Sequence, residues 1–171
     1  MIYTLLEPDH PLLLTALPEI TAETEPEDRK ELLDNMVETM KHYGGIGLSA
    51  NQCGIPIRMF VFGDSKNYIP CFNPKILEYG GPEVAIEEGC LTYPGLFVKI
   101  YRPEWIVAVW EDENRELHKE NFTGLQSRVF QHEYDHMQGI DFRSLAGRMA
   151  LNIAKRKLKK GQRRLKKMRE K

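Results

Sequence analysis

No stretch of this chain constrains its fold more than His132-Glu133-Tyr134-Asp135-His136. Two histidines four residues apart stand one turn apart on a helix, near enough to share one ion, and the carboxylate between them can reach a water held there. Leu125, Val129, His132 and His136 recur at steps of four, three and four, which places both histidines on the apolar, inward face of a helix. Thr123-Gly124-Leu125-Gln126 resembles a capping box at its start and Gly139 suits its end, so the helix is predicted to reach about Gln138.

Two histidines leave a catalytic ion short of its usual three protein ligands. No histidine follows His136, and the only later acids are Asp141 and Glu170, so the third ligand has to lie upstream. One candidate is Cys90, in Glu87-Glu88-Gly89-Cys90-Leu91-Thr92-Tyr93-Pro94-Gly95, where a thiolate would be a soft, strong donor and Gly89 would let backbone approach an ion. Spacing alone leaves open a lone cysteine that is simply a small buried hydrophobe. Cys53, Cys71 and Cys90 are odd in number and widely spaced, which argues for reduced thiols rather than a disulfide framework. A third stretch, Gly44 to Gln52, is glycine-rich but lacks the Gly-Lys-Ser/Thr of a phosphate-binding loop, and on its own it reads as a helix stop and turn.

The rest of the chain fills in an α+β fold, with small antiparallel β-sheets packed around a central metal-binding helix. Leu32, Leu33, Met36, Val37 and Met40 fall on one face of a helix over about 27 to 43, behind Pro26-Glu27-Asp28 and ahead of Gly44-Gly45. Strands are predicted at 58 to 62, at 83 to 87 beyond the turn-rich Gly80-Gly81-Pro82, at 105 to 110, and at 116 to 122 across Asp112-Glu113-Asn114. Residues 1 to 26, with four prolines, read as an irregular lead-in.

A length of 171 residues fits one domain, divided here into a catalytic part over 1–150 and a basic C-terminal helix or tail over 151–171. The net charge of −1 hides an uneven distribution, because residues 155 to 171 hold eleven Lys/Arg against one Glu. That tail could form a helix from about Leu145 to Lys171, interrupted at Gly161, and such a charge block suits a polyanionic partner. No run approaches the roughly 18 apolar residues of a membrane span, and the first ten residues lack the layout of a secretory signal, so a cytoplasmic location is expected.

Three segments in order are similar to the signature motifs of the peptide deformylases. These are Gly45-Ile46-Gly47-Leu48-Ser49-Ala50-Asn51-Gln52, Glu88-Gly89-Cys90-Leu91-Thr92, and Gln131-His132-Glu133-Tyr134-Asp135-His136 with Gly139. The similarity runs from about residue 27 to 145. It implies a hydrolase that removes the N-formyl group from the initiator methionine of newly synthesised polypeptides and releases formate. The metal would be held by Cys90, His132 and His136, with Glu133 taking a proton from the metal-bound water and returning it to the leaving amine. The Gln52 amide and the Leu91 N–H would stabilise the oxyanion. Gly45, Ile46 and Gly89 would line the peptide's path, and Ile86, Leu125 and Val129 would receive the methionine side chain.

Iron(II) is the ion such enzymes usually carry, although a thiolate and two imidazoles suit Zn(II), Ni(II) or Co(II) as well. Glu88, Arg102, Gln131 and Asp135 are candidates for orienting the ligands. By the same resemblance the basic tail is expected at the ribosome, where RNA phosphates reward clustered Lys and Arg. Ser49 stands where the family usually has alanine and Thr92 where it usually has serine, and the segment after Cys90 is short, which bears on how the substrate groove is walled. Two rival readings are a metallopeptidase built on the same helix motif and an RNA-binding module with a structural metal.

Overall fold

A computed structural model of the chain describes residues 1–64 and 66–169; the last two positions of the expected C-terminal helix, Glu170 and Lys171, lie outside the described residues. Helix α1 spans Arg29–His42, followed by strands β1 (Gly47–Ser49), β2 (Met59–Gly63), β3 (Tyr68–Glu88), β4 (Val98–Glu111) and β5 (Leu117–Thr123). Helices α2 (Gly124–Met137), α3 (Phe142–Leu145) and α4 (Arg148–Arg169) complete the order. The α+β expectation holds, and the strands join in one five-stranded antiparallel sheet of order β1-β2-β3-β4-β5.

Why the strands form is visible in β4, where Val98, Ile100, Arg102, Ile106, Ala108 and Trp110 are buried while Lys99, Tyr101 and Glu104 face solvent. Alternation of period two buries one face of a strand against the core. β3 contains the Gly80-Gly81-Pro82 stretch that reads as a turn, yet the strand runs through it. The register against β4 slips between Gly80/Trp105 and Glu83/Pro103, so the extra residues are absorbed as a bulge. Gly81 supplies the left-handed backbone there, at φ 75°. A turn signal is thus overridden by cross-strand pairing on both sides of it. The hairpin between β4 and β5 matches its expected position, with Glu111 opposite Leu117. Its loop closes on Asp112, whose carboxylate accepts from the Asn114 and Glu116 amides at 2.8 and 3.0 Å.

α1 buries the five apolar residues expected of it against β1 and β2, together with Leu48, Met59, Val61 and Phe72. Asp28 caps it, its carboxylate accepting from the Glu31 amide at 2.9 Å. α2 crosses the other part of the sheet on an aromatic core in which Phe130 meets Phe60 at 5.0 Å and Phe122 at 5.4 Å between ring centroids. The expected capping box at its start does not form, since Thr123 sits at the cap without a side-chain hydrogen bond. At its end Gly139 takes φ 68°, and a Cβ there would stand 2.8 Å from backbone atoms of Leu14 and Thr15. Glycine is required at 139 both for the left-handed turn and for the close approach of the N-terminal segment.

α4 runs without a break through Gly161, contrary to the interruption expected there. One missing side chain on an exposed face costs only about 1 kcal/mol, too little to stop a helix otherwise made of good formers. Its first half docks: Ala154 is buried with Tyr93, Leu96, Val98, Ile100 and Phe142, and Leu151 and Leu158 pack against them. Among the described residues no helix is long and apolar enough to cross a membrane.

Candidate metal centre

α2 presents His132, Glu133 and His136 toward the sheet, all three buried. Cys90 arrives from a different direction, two residues beyond the end of β3, and keeps part of its surface open. The Cys90 Sγ and one ring nitrogen from each histidine lie within 4.8 Å of one another. Cys90 Sγ stands 3.4 Å from His136 Nε2. With metal–sulfur and metal–nitrogen bonds of about 2.3 and 2.0 Å at a tetrahedral angle, that edge would be about 3.5 Å, so these donors fit one ion.

Burial alone would raise the Cys90 thiol, but the imidazoles of His136 and His132 outweigh it and bring it down to about 5. Burial would likewise lower His132, while Cys90 and the Glu88 carboxylate lift it to about 10. Burial pushes Glu133 up to about 7, with the two histidines pulling the other way. Its Oε2 is buried with no hydrogen-bond partner among the described residues, and so is His136 Nδ1. A carboxylate buried beside the cluster with an idle oxygen and a value near neutrality can exchange protons in either direction.

Glu88 organises the layer behind the Cys90, His132 and His136 cluster. It accepts from His132 Nδ1 at 3.0 Å, which turns the other ring nitrogen toward Cys90. Arg102 grips the same carboxylate through two nitrogens at 2.7 and 3.0 Å and reaches Asp135 at 2.7 Å. Arg128 adds a third clamp, donating to Glu88 at 2.8 Å and to the Ile100 carbonyl at 3.1 Å. Glu88 is therefore held well below the usual carboxylate range, burial opposing and the His132, Arg102 and Arg128 donors prevailing. Of the four residues expected to orient ligands, Glu88 contacts His132, Arg102 contacts Glu88, and Asp135 contacts Arg102. Gln131 instead bonds the Pro103 carbonyl and Ser127. Arg128 was not singled out in the sequence, because on α2 it reads as one more surface charge.

Gln52 lies across the cluster, its Nε2 3.3 Å from Cys90 Sγ and 3.0 Å from Thr92 Oγ1. Its Oε1 accepts from the Ser49 amide at 3.0 Å and the Ser49 hydroxyl at 2.9 Å. The two departures noted in the sequence, Ser49 and Thr92, thus hold opposite ends of one amide. Among the described residues the Leu91 N–H has no acceptor.

The cluster opens on a groove of about 500 Å³. Gln52, Cys90, Leu91, His132 and Glu133 line it, as do Gly45, Ile46, Ile86, Gly89, Leu125 and Val129, while His136 sits behind it. Leu125 does not face the core, being 62% exposed at the groove rim, and Ile46 and Ile86 are also exposed. Apolar side chains left open around a concave site are suited to an apolar ligand group. Tyr93, Gly95, Leu96 and Phe97 make the far wall, formed by the short segment after Cys90.

The Polypeptide deformylase family model matches residues 2–148. The peptide deformylase of Thermotoga maritima is 40% identical over 114 residues, covering 67% of this chain and 70% of that one. Among solved structures, the chain is similar to a peptide deformylase from Legionella pneumophila at a TM-score of 0.84 and 30% identity, with 95% of this chain and 96% of that one covered. It is also similar to the Met-Ala-Ser-bound class I type b peptide deformylase of Acinetobacter baumannii, at 0.78 and 25%, over 85% and 98% of the two chains.

Proposed function

Since this chain belongs to the polypeptide deformylase family, and is thereby a hydrolase that takes the formyl group from an N-terminal methionine, we propose that the reaction occurs in the groove over Cys90, His132 and His136. The observation that carries this reading is the convergence of one thiol and two imidazoles beneath an open groove, with Glu133 and Gln52 beside them. The Met-Ala-Ser bound by the Acinetobacter relative corresponds to the deformylated product of formyl-Met-Ala-Ser and supports the same choice of substrate.

Cys90, His132 and His136 would hold one divalent ion, which when bound supplies a Lewis acid for the formyl oxygen and makes water acidic enough to ionise near neutrality. Glu133 takes the proton from the attacking water and passes it to the nitrogen of methionine as the C–N bond breaks, leaving formate and a free amine. Attack turns the formyl oxygen into an anion, and the Gln52 Nε2–H and the unengaged Leu91 N–H are the donors beside it. One such donor is worth about 3 kcal/mol in the transition state. Ser49 fixes the amide so that its NH2 end faces the cluster. Ile86, Leu125 and Val129 offer apolar contact to the methionine side chain, and Gly45, Ile46 and Gly89 bring backbone close to the peptide.

We assign iron(II) as the native ion, with Zn(II), Ni(II) and Co(II) as acceptable replacements for a donor set of one thiolate and two imidazoles. The decisive experiment is anaerobic purification with metal analysis and formate release from formyl-Met-Ala-Ser. Formate from the formylated peptide, no cleavage of unformylated Met-Ala-Ser, and loss of turnover in a metal-loaded Glu133→Ala protein are expected. Peptide-bond cleavage without formate would favour the metallopeptidase alternative. Activity undiminished by prolonged aeration would exclude iron.

Residues 1–150 are assigned as the catalytic part and 151–171 as a basic segment that seats the enzyme on ribosomal RNA in the cytoplasm. The exposed lysines and arginines of α4 beyond its docked first half support this. Ribosome binding that falls steeply with salt and is lost in a chain ending at Ala154 is expected; binding indifferent to both would refute it.

A further inference from the structure

The groove over the cluster has a neighbour on the other side of its far wall. Glu87, Gly95 and Phe97 line both that groove and a second cleft of about 650 Å³. The second cleft runs between α4 and the start of β4, with Val98 and Lys99 on one side and Ile153, Lys157, Leu158 and Leu165 on the other. It is a product of helix docking, since Ala154 is buried against Val98 and Ile100, and a Leu158 methyl would stand 3.0 Å from a Cβ built on Gly95. Its rim keeps apolar surface open to solvent: Phe97 is 58%, Ile153 48% and Leu165 60% exposed. At the junction the Phe97 ring lies against Gly89, so close that a Cβ there would be 2.7 Å from it.

A peptide in extended form advances about 3.3 Å per residue. One that leaves the groove past Phe97 meets the second cleft next, because Glu87, Gly95 and Phe97 line both. We propose that the cleft between α4 and β4 is a binding site for the substrate's own downstream residues, those after about the third, and that it favours apolar side chains there. The proposal rests on the reading that the groove binds formylated peptides. The lining residues common to the two cavities select this occupant, and concave apolar surface selects its chemistry.

The test uses the full-length, metal-loaded enzyme and formate release from formyl-Met-Ala-Ser, formyl-Met-Ala-Ser-Leu-Leu-Lys and formyl-Met-Ala-Ser-Ser-Ser-Lys. Partial burial of a leucine side chain corresponds to a KM about three- to tenfold lower for the leucine peptide than for its serine counterpart. Ile153→Glu and Leu165→Glu, both at exposed positions of α4, are expected to erase that difference while tripeptide kcat and KM stay unchanged. Equal KM for the two longer peptides, or a difference that survives both variants, would overturn the proposal. So would concentration-dependent dimerisation abolished by Ile153→Glu, which would give the cleft to a second copy of the chain. Failure to release formate even from the tripeptide would instead strike the deformylase reading and remove the cleft's role with it.

Discussion

Gly47 carries no chemical group, yet its substitution by alanine tests how tightly the Glu133 carboxylate, proposed above to carry the proton, is held. A Cβ at this position would lie 2.4 Å from Glu133 Oε1 and 2.8 Å from a Val129 methyl. Carbon and oxygen in contact stand about 3.3–3.6 Å apart, so the carboxylate must withdraw by about 1 Å. The backbone at 47 is not left-handed, so alanine brings no conformational strain of its own. Crowding of Val129 should cost about 1–3 kcal/mol, and each kcal/mol lowers Tm by about 2–4 °C in a chain of this size. A displacement of 1 Å at a reacting group can cost about 100-fold in rate, or about 2.7 kcal/mol in the barrier. Gly47→Ala is therefore expected to fold and bind metal normally while kcat/KM for formyl-Met-Ala-Ser falls about 100-fold. The measurements are formate release, metal content and a thermal melt on the same preparation. A kcat/KM within threefold of the parent would show that Glu133 has room to spare, and a loss that merely tracks missing metal would refute the geometric reasoning.

Glu88→Gln removes the carboxylate that answers two buried guanidiniums and His132. Breaking such a buried arrangement should cost about 3–5 kcal/mol in thermal stability and weaken metal binding about 10- to 100-fold in a chelator competition; parental values of both would argue against its organising role. In the metal-free chain, Cys90 falls from an ordinary value of 9.0 to about 5 and His132 rises from 6.5 to about 10. The thiolate's contribution grows as pH rises from 5 and is complete above 9, whereas that of the histidine is complete below 6.5 and gone above 10. Glu133, raised to about 7, loses its own contribution between 4.5 and 7 and offsets the thiolate's gain there, so the clear signature is on the alkaline side: urea midpoints of chelator-treated protein should fall between about pH 9 and 10, and a midpoint that rises through that range would contradict the pairing.

The sequence determined on its own whatever is governed by neighbours within a turn or two. The spacing of His132, Glu133 and His136 is a property of one helix, and so is the apolar face of α1. The alternation in Trp105 to Trp110 likewise needs only a strand with one buried face. Where a local signal competed with long-range pairing, the pairing won. Gly80-Gly81-Pro82 became a bulge because β4 continues opposite it. Two other local signals failed without any pairing against them: Gly161 stayed helical because one glycine costs a helix of good formers too little to break it, and Thr123 made no side-chain cap. Tertiary structure alone decided which atoms meet. Cys90 stands beside His132 because β3 ends at Glu88, whose carboxylate reaches across to that histidine's ring. Arg128 reaches the same carboxylate, and Ser49 and Thr92 clamp the two ends of Gln52, by contacts between segments roughly 40 residues apart, apart from Ser49's short loop. Such contacts leave no periodicity in the chain, because it is the sheet and not the backbone path that brings their partners together.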